Sequence, residues 1–209
     1  LLIELGKMNK KIILSTGMST LKEIQNALKL LIKSGTSKKK ITLLHCHSAY
    51  PTKINDVNLL AMNTIKKKFN TDIGYSDHTT GFETSICAVA LGAKIIEKHF
   101  TLNNSSNGPD HKASLNPKNF KKMIAGIRNS EILLGSAIKK PQKEEIKNKK
   151  FVRKSFVAIS NIKKNEILNS KNISLKRPGT GIQGNKWFKI LNKKSSRSYK
   201  AGDLITEKI

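Results

Sequence analysis

His78 and His99 are the residues whose type and spacing point most directly to chemistry. Each follows an apolar, β-prone run, and their separation of 21 residues equals one strand–loop–helix passage. Such spacing sets both imidazoles at the tops of neighbouring parallel strands, where they can converge on one point. Two imidazoles so arranged suit a divalent transition metal, with waters or substrate oxygens in the open positions. Asp77 and Glu97 are expected to orient them through hydrogen bonds. His45 and His47 flank Cys46, but a Cys–His metal cluster needs more ligands at suitable spacing, so they read as strand-end lining and Cys46 as core.

Ser15-Thr16-Gly17-Met18 places hydroxyls and close-packed backbone at a strand–helix junction, a position where helix amides hold phosphate. Ser76 stands similarly just before His78. Two such loops beside a metal pair point to a phosphorylated ligand. Asn107-Gly108-Pro109-Asp110 is a stiff turn that can present Asp110 toward the strand edge, where a carboxylate can bind hydroxyls. Arg177, in Lys176-Arg177-Pro178-Gly179, stands out as one of four arginines in a rigid Pro-Gly setting.

These residues need elements to position them. Residues 12–15, 41–45, 72–75 and 94–98 read as strands, and each is followed by a helical pattern: 21–33, 57–69, 82–91 and 117–134. Ser19 or Thr20 can cap the first helix with Glu23 nearby. Pro117 suits a first helical turn, and Gly135 suits a helix stop. Four βα units imply a parallel sheet with right-handed crossovers, either open or half of an eight-stranded barrel. Its C-terminal edge gathers the loops STGMST, HCHSAYPTK, SDHTTG and HFTLNNSSNGPDHKAS, and βα folds place their chemistry there.

Residues 1–137 form this α/β domain in the sequence reading, 138–154 a Lys-rich, weakly patterned linker, and 155–209 a small, mostly β domain built from SFVAIS, ISLKRPGTG and DLITEKI. At 209 residues the chain can build a substantial core, and no apolar run reaches the roughly 20 residues of a membrane helix. The formal charge is +26, from 40 Lys+Arg against 14 Asp+Glu, yet only four of the 40 are arginines. Nucleic-acid readers gather Arg and Lys on one face or arm. Here lysine is spread along the whole chain, which reads as compositional bias on a solvated surface, with neither nucleic acid nor membrane as partner. Cys46 and Cys87 read as reduced core thiols of a cytoplasmic protein. The chain opens on Leu1 in mid-element, so a preceding segment is expected.

The strings ILSTGM, LLHCHSAYPTKINDVNL, IGYSDHTTG, GAKIIEKHFTL, GPDHKASL and LKRPGTGI, in this order, resemble the sialic acid synthase family, which makes N-acetylneuraminate and related nonulosonic acids. The resemblance covers essentially the whole chain. It implies the C-terminal half of a TIM (βα)8 barrel followed by an antifreeze-like (SAF) domain, with this sequence starting near the fifth strand. It also implies condensation of phosphoenolpyruvate with an N-acetylated hexosamine such as N-acetylmannosamine, releasing phosphate, with Mn2+ or Mg2+. Matched motif to motif, His78 and His99 fall on metal-ligand positions. Ser15, Ser76 and Ser48, the last where some members carry Asn, fall on positions that hold phosphoenolpyruvate. Tyr50, Asp110, Phe151 and Arg177 fall on sugar-contacting positions, the last two reaching the pocket from the other subunit of a homodimer. The family's catalytic carboxylate and lysines lie on the early strands, so no catalytic residue is assigned here. A rival expectation from another class is a non-catalytic sugar-binding or assembly subunit that keeps only the half-barrel and SAF domain.

Overall fold

A computed structural model describes residues 1–206. Two compact units are present, residues 1–136 and 137–209. The first runs α1 (Leu2–Lys7), β1 (Ile12–Ser15), α2 (Leu21–Lys33), β2 (Ile41–Cys46), α3 (Ala61–Phe69), β3 (Asp72–Asp77), α4 (Glu83–Ala90), β4 (Ile96–Lys98) and α5 (Pro117–Leu134). Its four strands are parallel and lie side by side in chain order, so the sheet curls as a half-barrel.

Alternation along the strands divides the sheet into two faces. Ile12, Leu14, Ile41, Leu43, Ile73, Tyr75 and Ile96 pack with Ile24, Leu28 and Leu31 of α2 and Met62, Ile65 and Phe69 of α3. The remaining positions, Ile13, Ser15, Thr42, Leu44, Cys46, Gly74, Ser76 and Glu97, face the concave side. Parallel sheets are normally covered on both faces; here Ile13 is 55% exposed.

Local chemistry sets the helix ends. Thr20 caps α2, its hydroxyl accepting from the Glu23 amide while Glu23 Oε2 accepts from the Thr20 amide at 2.7 Å. Asn116 caps α5, with Pro117 in the first turn. The third helix starts at Ala61 and not near residue 57, because Ile54–Asp56 form a 3-10 turn and Asn58 adopts a left-handed φ of 47°. Cys46 is buried as expected, whereas Cys87 lies on the exposed side of α4, so its reading as a core thiol is corrected.

In the second unit, the stretch expected as a weakly patterned linker carries α6 (Lys143–Val152), begun by Gln142 and Glu145 as reciprocal caps. β5 (Ser155–Ala158) and β6 (Ile173–Lys176) pair antiparallel, followed by a 3-10 turn and α7 (Trp187–Ile190). Bridges Val157–Leu204, Ile162–Tyr199 and Ile167–Lys194 extend the β character. The core is Phe156, Ala158, Ile162, Leu168, Ile173, Ile190, Tyr199 and Ile205. Of the expected piece DLITEKI, Leu204 and Ile205 take part, and residues 207–209 lie outside the described residues. Among the described residues no helix is long and apolar enough to cross a membrane.

Candidate functional site

Register builds the site. Cys46 lies beside Ser76, and Ser76 beside Glu97, forming one row across the concave face. His78 and His99 each stand two residues further along, and their ring centroids are 5.6 Å apart, edge to face. Tyr50 completes a triangle of rings, 4.1 Å from His78 and 5.5 Å from His99. Two backbone ties seat it there: His78 Nδ1 lies 2.7 Å from the His47 carbonyl, and the Thr52 amide donates to the His78 carbonyl at 2.8 Å. The loop is thus stitched to both ends of His78, with Tyr50 in between. The Tyr50 phenol is pushed above its usual range by desolvation first, then by the nearby Cys46, Asp110 and Glu97.

Proton bookkeeping at His78 bears on what it can hold. A carbonyl only accepts, so Nδ1 carries hydrogen and Nε2 points at Ser76 Oγ, 3.2 Å away. The single hydroxyl hydrogen of Ser76 is donated to Glu97 Oε1 at 2.7 Å. A neutral His78 therefore presents a lone pair to a hydroxyl whose proton is spent. That lone pair is available to a Lewis acid, so the residues fit a divalent ion bound through imidazole nitrogen. They supply only part of its shell: among the described residues, no three His, Cys, Asp or Glu side chains gather around one point.

Asp110 is delivered from the long loop after β4. Its carbonyl accepts from the amides of Ala113 and Ser114 and from the Ser114 hydroxyl, which fixes the turn. The loop returns to the strand edge where the Leu115 amide donates to the His99 carbonyl at 2.9 Å. Asp110 Oδ2 then lies 3.8 Å from His99 Nδ1. Asn104, which the sequence reading passed over, braces this loop by donating to the His111 and Ser114 carbonyls.

The three serines are not equivalent. Ser76 is buried, and its proton is committed to Glu97, so a hydrogen bond from it to phosphate requires the hydroxyl to turn. Ser48 is exposed and touches the STGM loop: a Cβ at Gly17 would come within 2.3 Å of its Oγ and 3.1 Å of Cys46 Sγ, so glycine is needed for that approach. Ser15 pairs with Leu44, one concave-face row below Cys46 and Ser76. His45 faces the helices, its Nε2 2.9 Å from the Val57 carbonyl, and lines a cavity of about 540 Å3 beside α2 and α3. That cavity does not include the histidine pair.

Asp77 and Glu97 do not hold the imidazoles directly. Glu97 reaches His78 through Ser76, and Asp77 turns to the other face of the sheet. There it pairs with Lys98, a residue the sequence reading missed, with Oδ1 and Nζ 3.2 Å apart and the two side chains 0% and 1% exposed. Burial pulls the Lys98 amine below its usual range, and the Asp77 carboxylate opposes that shift. No sequence signal marks one lysine among so many; only its register opposite Asp77 does.

Within the second unit, Phe151 and Arg177 are brought near each other. Arg177 Nε donates to the Val152 carbonyl at 3.0 Å, and the Gly179 amide donates to the Lys150 carbonyl at 2.7 Å. These bonds tie the end of α6 to the KRPGTG loop. Phe151 is 71% exposed, and Arg177 is exposed as well.

Comparison with known proteins gives consistent matches. The profile of the NeuB family matches residues 1–139, and that of the SAF domain matches residues 153–208. An N,N'-diacetyllegionaminic acid synthase of Campylobacter jejuni is 50% identical over 98% of this chain and 61% of its own length. A pseudaminic acid synthase of the same species is 37% identical over 97% and 58%. The crystal structure of an N-acetylneuraminic acid synthetase from Leptospira borgpetersenii, in complex with citrate, superposes with a TM-score of 0.64 at 37% identity, covering 70% of this chain and 50% of that one. The chain spans about three fifths of the length of the curated relatives it matches.

Proposed function

The chain belongs to the NeuB family, and from that premise we propose that it supplies the metal-binding and sugar-facing half of a nonulosonic acid synthase. Its reaction joins phosphoenolpyruvate to an N-acetylated hexosamine of the N-acetylmannosamine type. The supporting observation is the convergence of His78, His99 and Tyr50, with Asp110 beside them, at one end of the curled sheet. The names of the relatives, which span legionaminic, pseudaminic and N-acetylneuraminate synthases, support the substrate class.

His78 and His99 would hold Mn2+ or Mg2+ through ring nitrogens. When bound, such an ion supplies Lewis acidity to the sugar's carbonyl oxygen. The tie from His78 Nδ1 to the His47 carbonyl holds the ring with Nε2 turned inward. Tyr50 and Asp110 orient the sugar, Asp110 by accepting from its hydroxyls. Ser15 and Ser48 offer exposed hydroxyls to the phosphate and carboxylate of phosphoenolpyruvate, joined by Ser76 when it releases Glu97. The enol carbon attacks the aldehyde carbon, whose oxygen takes up a proton, water adds to the phosphate-bearing carbon, and phosphate leaves; positioning carries much of the rate. Phe151 and Arg177 complete the sugar pocket of the other subunit in a cytoplasmic homodimer.

The test is phosphate release and mass-spectrometric product analysis by the protein with a complete barrel, supplied with Mn2+, phosphoenolpyruvate and candidate N-acetylated sugars. His78→Ala should abolish Mn2+-dependent product. Undiminished activity in that variant removes the metal assignment, and no nonulosonic acid from any sugar removes the synthase reading.

A further inference from the structure

Each candidate metal ligand is preceded in the chain by one member of a buried ion pair: Asp77 before His78 and Lys98 before His99. The two charged residues are direct partners in the β3–β4 register, on the face of the sheet opposite the imidazoles. Resting on the metal reading above, we propose that the Asp77–Lys98 pair is a clasp that sets the separation of His78 and His99, and through it metal affinity.

The contacts are specific to that task. Lys98 Nζ bonds the Asp77 carboxylate on one side of His78 and the Thr79 carbonyl on the other. One ammonium thus grips both residues flanking His78 while its own backbone carries His99. Asp77 Oδ1 also accepts from the Thr79 amide at 2.9 Å and the Thr79 hydroxyl at 2.7 Å, closing the turn that carries His78. Asp77 Oδ2 accepts from Ser85 Oγ at 2.6 Å, anchoring the assembly to α4. Every rung of this network either closes the turn around His78 or ties it to a neighbouring element, β4 or α4.

Stability alone does not account for the pair. Desolvating two charges cancels much of their attraction, and replacing such pairs by neutral groups is often neutral or stabilising. Holding two strand ends in fixed relation is what a buried, multiply bonded pair does better than an apolar contact, which tolerates sliding.

The experiment measures Mn2+ affinity by electron paramagnetic resonance titration of the protein with a complete barrel, alongside thermal melting of every variant. Lys98→Met strands a buried carboxylate and should weaken Mn2+ binding by about tenfold or more, in the range typical for residues that orient metal ligands. Asp77→Asn/Lys98→Met carries no stranded charge, so it keeps a folded reference even where the single variant unfolds. It should melt near the wild type and still bind Mn2+ about tenfold more weakly. A double variant that is folded and binds Mn2+ within twofold of wild type overturns the clasp and leaves the metal site standing. A wild-type chain that binds no Mn2+ overturns the metal reading, and the clasp falls with it.

Discussion

At the residue scale, roles follow from which face of the sheet a position occupies. His78 and His99 turn inward, while the residues just before them, Asp77 and Lys98, turn toward the helices, so neighbours in sequence have unrelated surroundings. In the second unit, Arg177 is steadied through Nε on the Val152 carbonyl, which leaves the rest of its guanidinium for a ligand. Under the proposed reaction, Arg177→Ala in the protein with a complete barrel should raise the Michaelis constant for the sugar by about tenfold or more, the size of one charge-assisted hydrogen bond. The constant for phosphoenolpyruvate should stay within about twofold, and equal rises in both constants would argue against a sugar contact. The histidines, Tyr50 and Asp110 were legible in the sequence because they stand in distinctive strings at strand ends. Lys98 was not, since a lysine in a chain so rich in lysine carries no information until a strand register sets it opposite a carboxylate.

At the element scale, caps and left-handed asparagines decide where helices begin. The box formed by Thr20 and Glu23 starts α2 immediately after the STGM loop, so it also fixes one wall of the candidate site. Thr20→Ala should destabilise the chain by about 1 kcal/mol in chemical denaturation. Glu23 accepts hydrogen bonds from the Thr20 amide and hydroxyl, which lower its carboxyl below the ordinary 4.5. Its contribution is present above 4.5 and is lost as pH falls through the lowered value. The stability gap between wild type and Glu23→Gln should accordingly be open at about pH 7 and narrow as pH falls below 4.5; a gap that widens in acid would refute the capping role. Strand and helix order was readable from hydrophobic period. The α3 start and α6 were not: Asn58 breaks the first turn of one through its own backbone angle, and the other is a polar helix whose residues show no apolar stripe.

At the scale of the whole molecule, the decisive feature is a curled sheet whose β1 and β4 have a strand partner on one side only among the described residues. Ile13 and Phe100 stay more than half exposed, and such surfaces are poor stabilisers and ready templates for association. Expressed as these 209 residues, the protein should bind an apolar dye and melt below roughly 45 °C, the lower limit for ordinary domains. A monomer with a cooperative melt above roughly 65 °C would contradict this. The +26 charge enters here as well, since a net positive field favours the approach of anionic ligands, in a manner that salt weakens.

Strand order has a temporal side. After β1, each strand of the sheet pairs with its predecessor in the chain, so its partner has already been synthesised when it emerges from the ribosome. His99 leaves the ribosome 21 residues after His78, on the order of one to four seconds later at about 5–20 residues per second. During that interval the nascent protein holds His78 without His99, and Asp77 without Lys98. The histidine pair of the proposed metal site is therefore complete only once the fourth strand has been delivered.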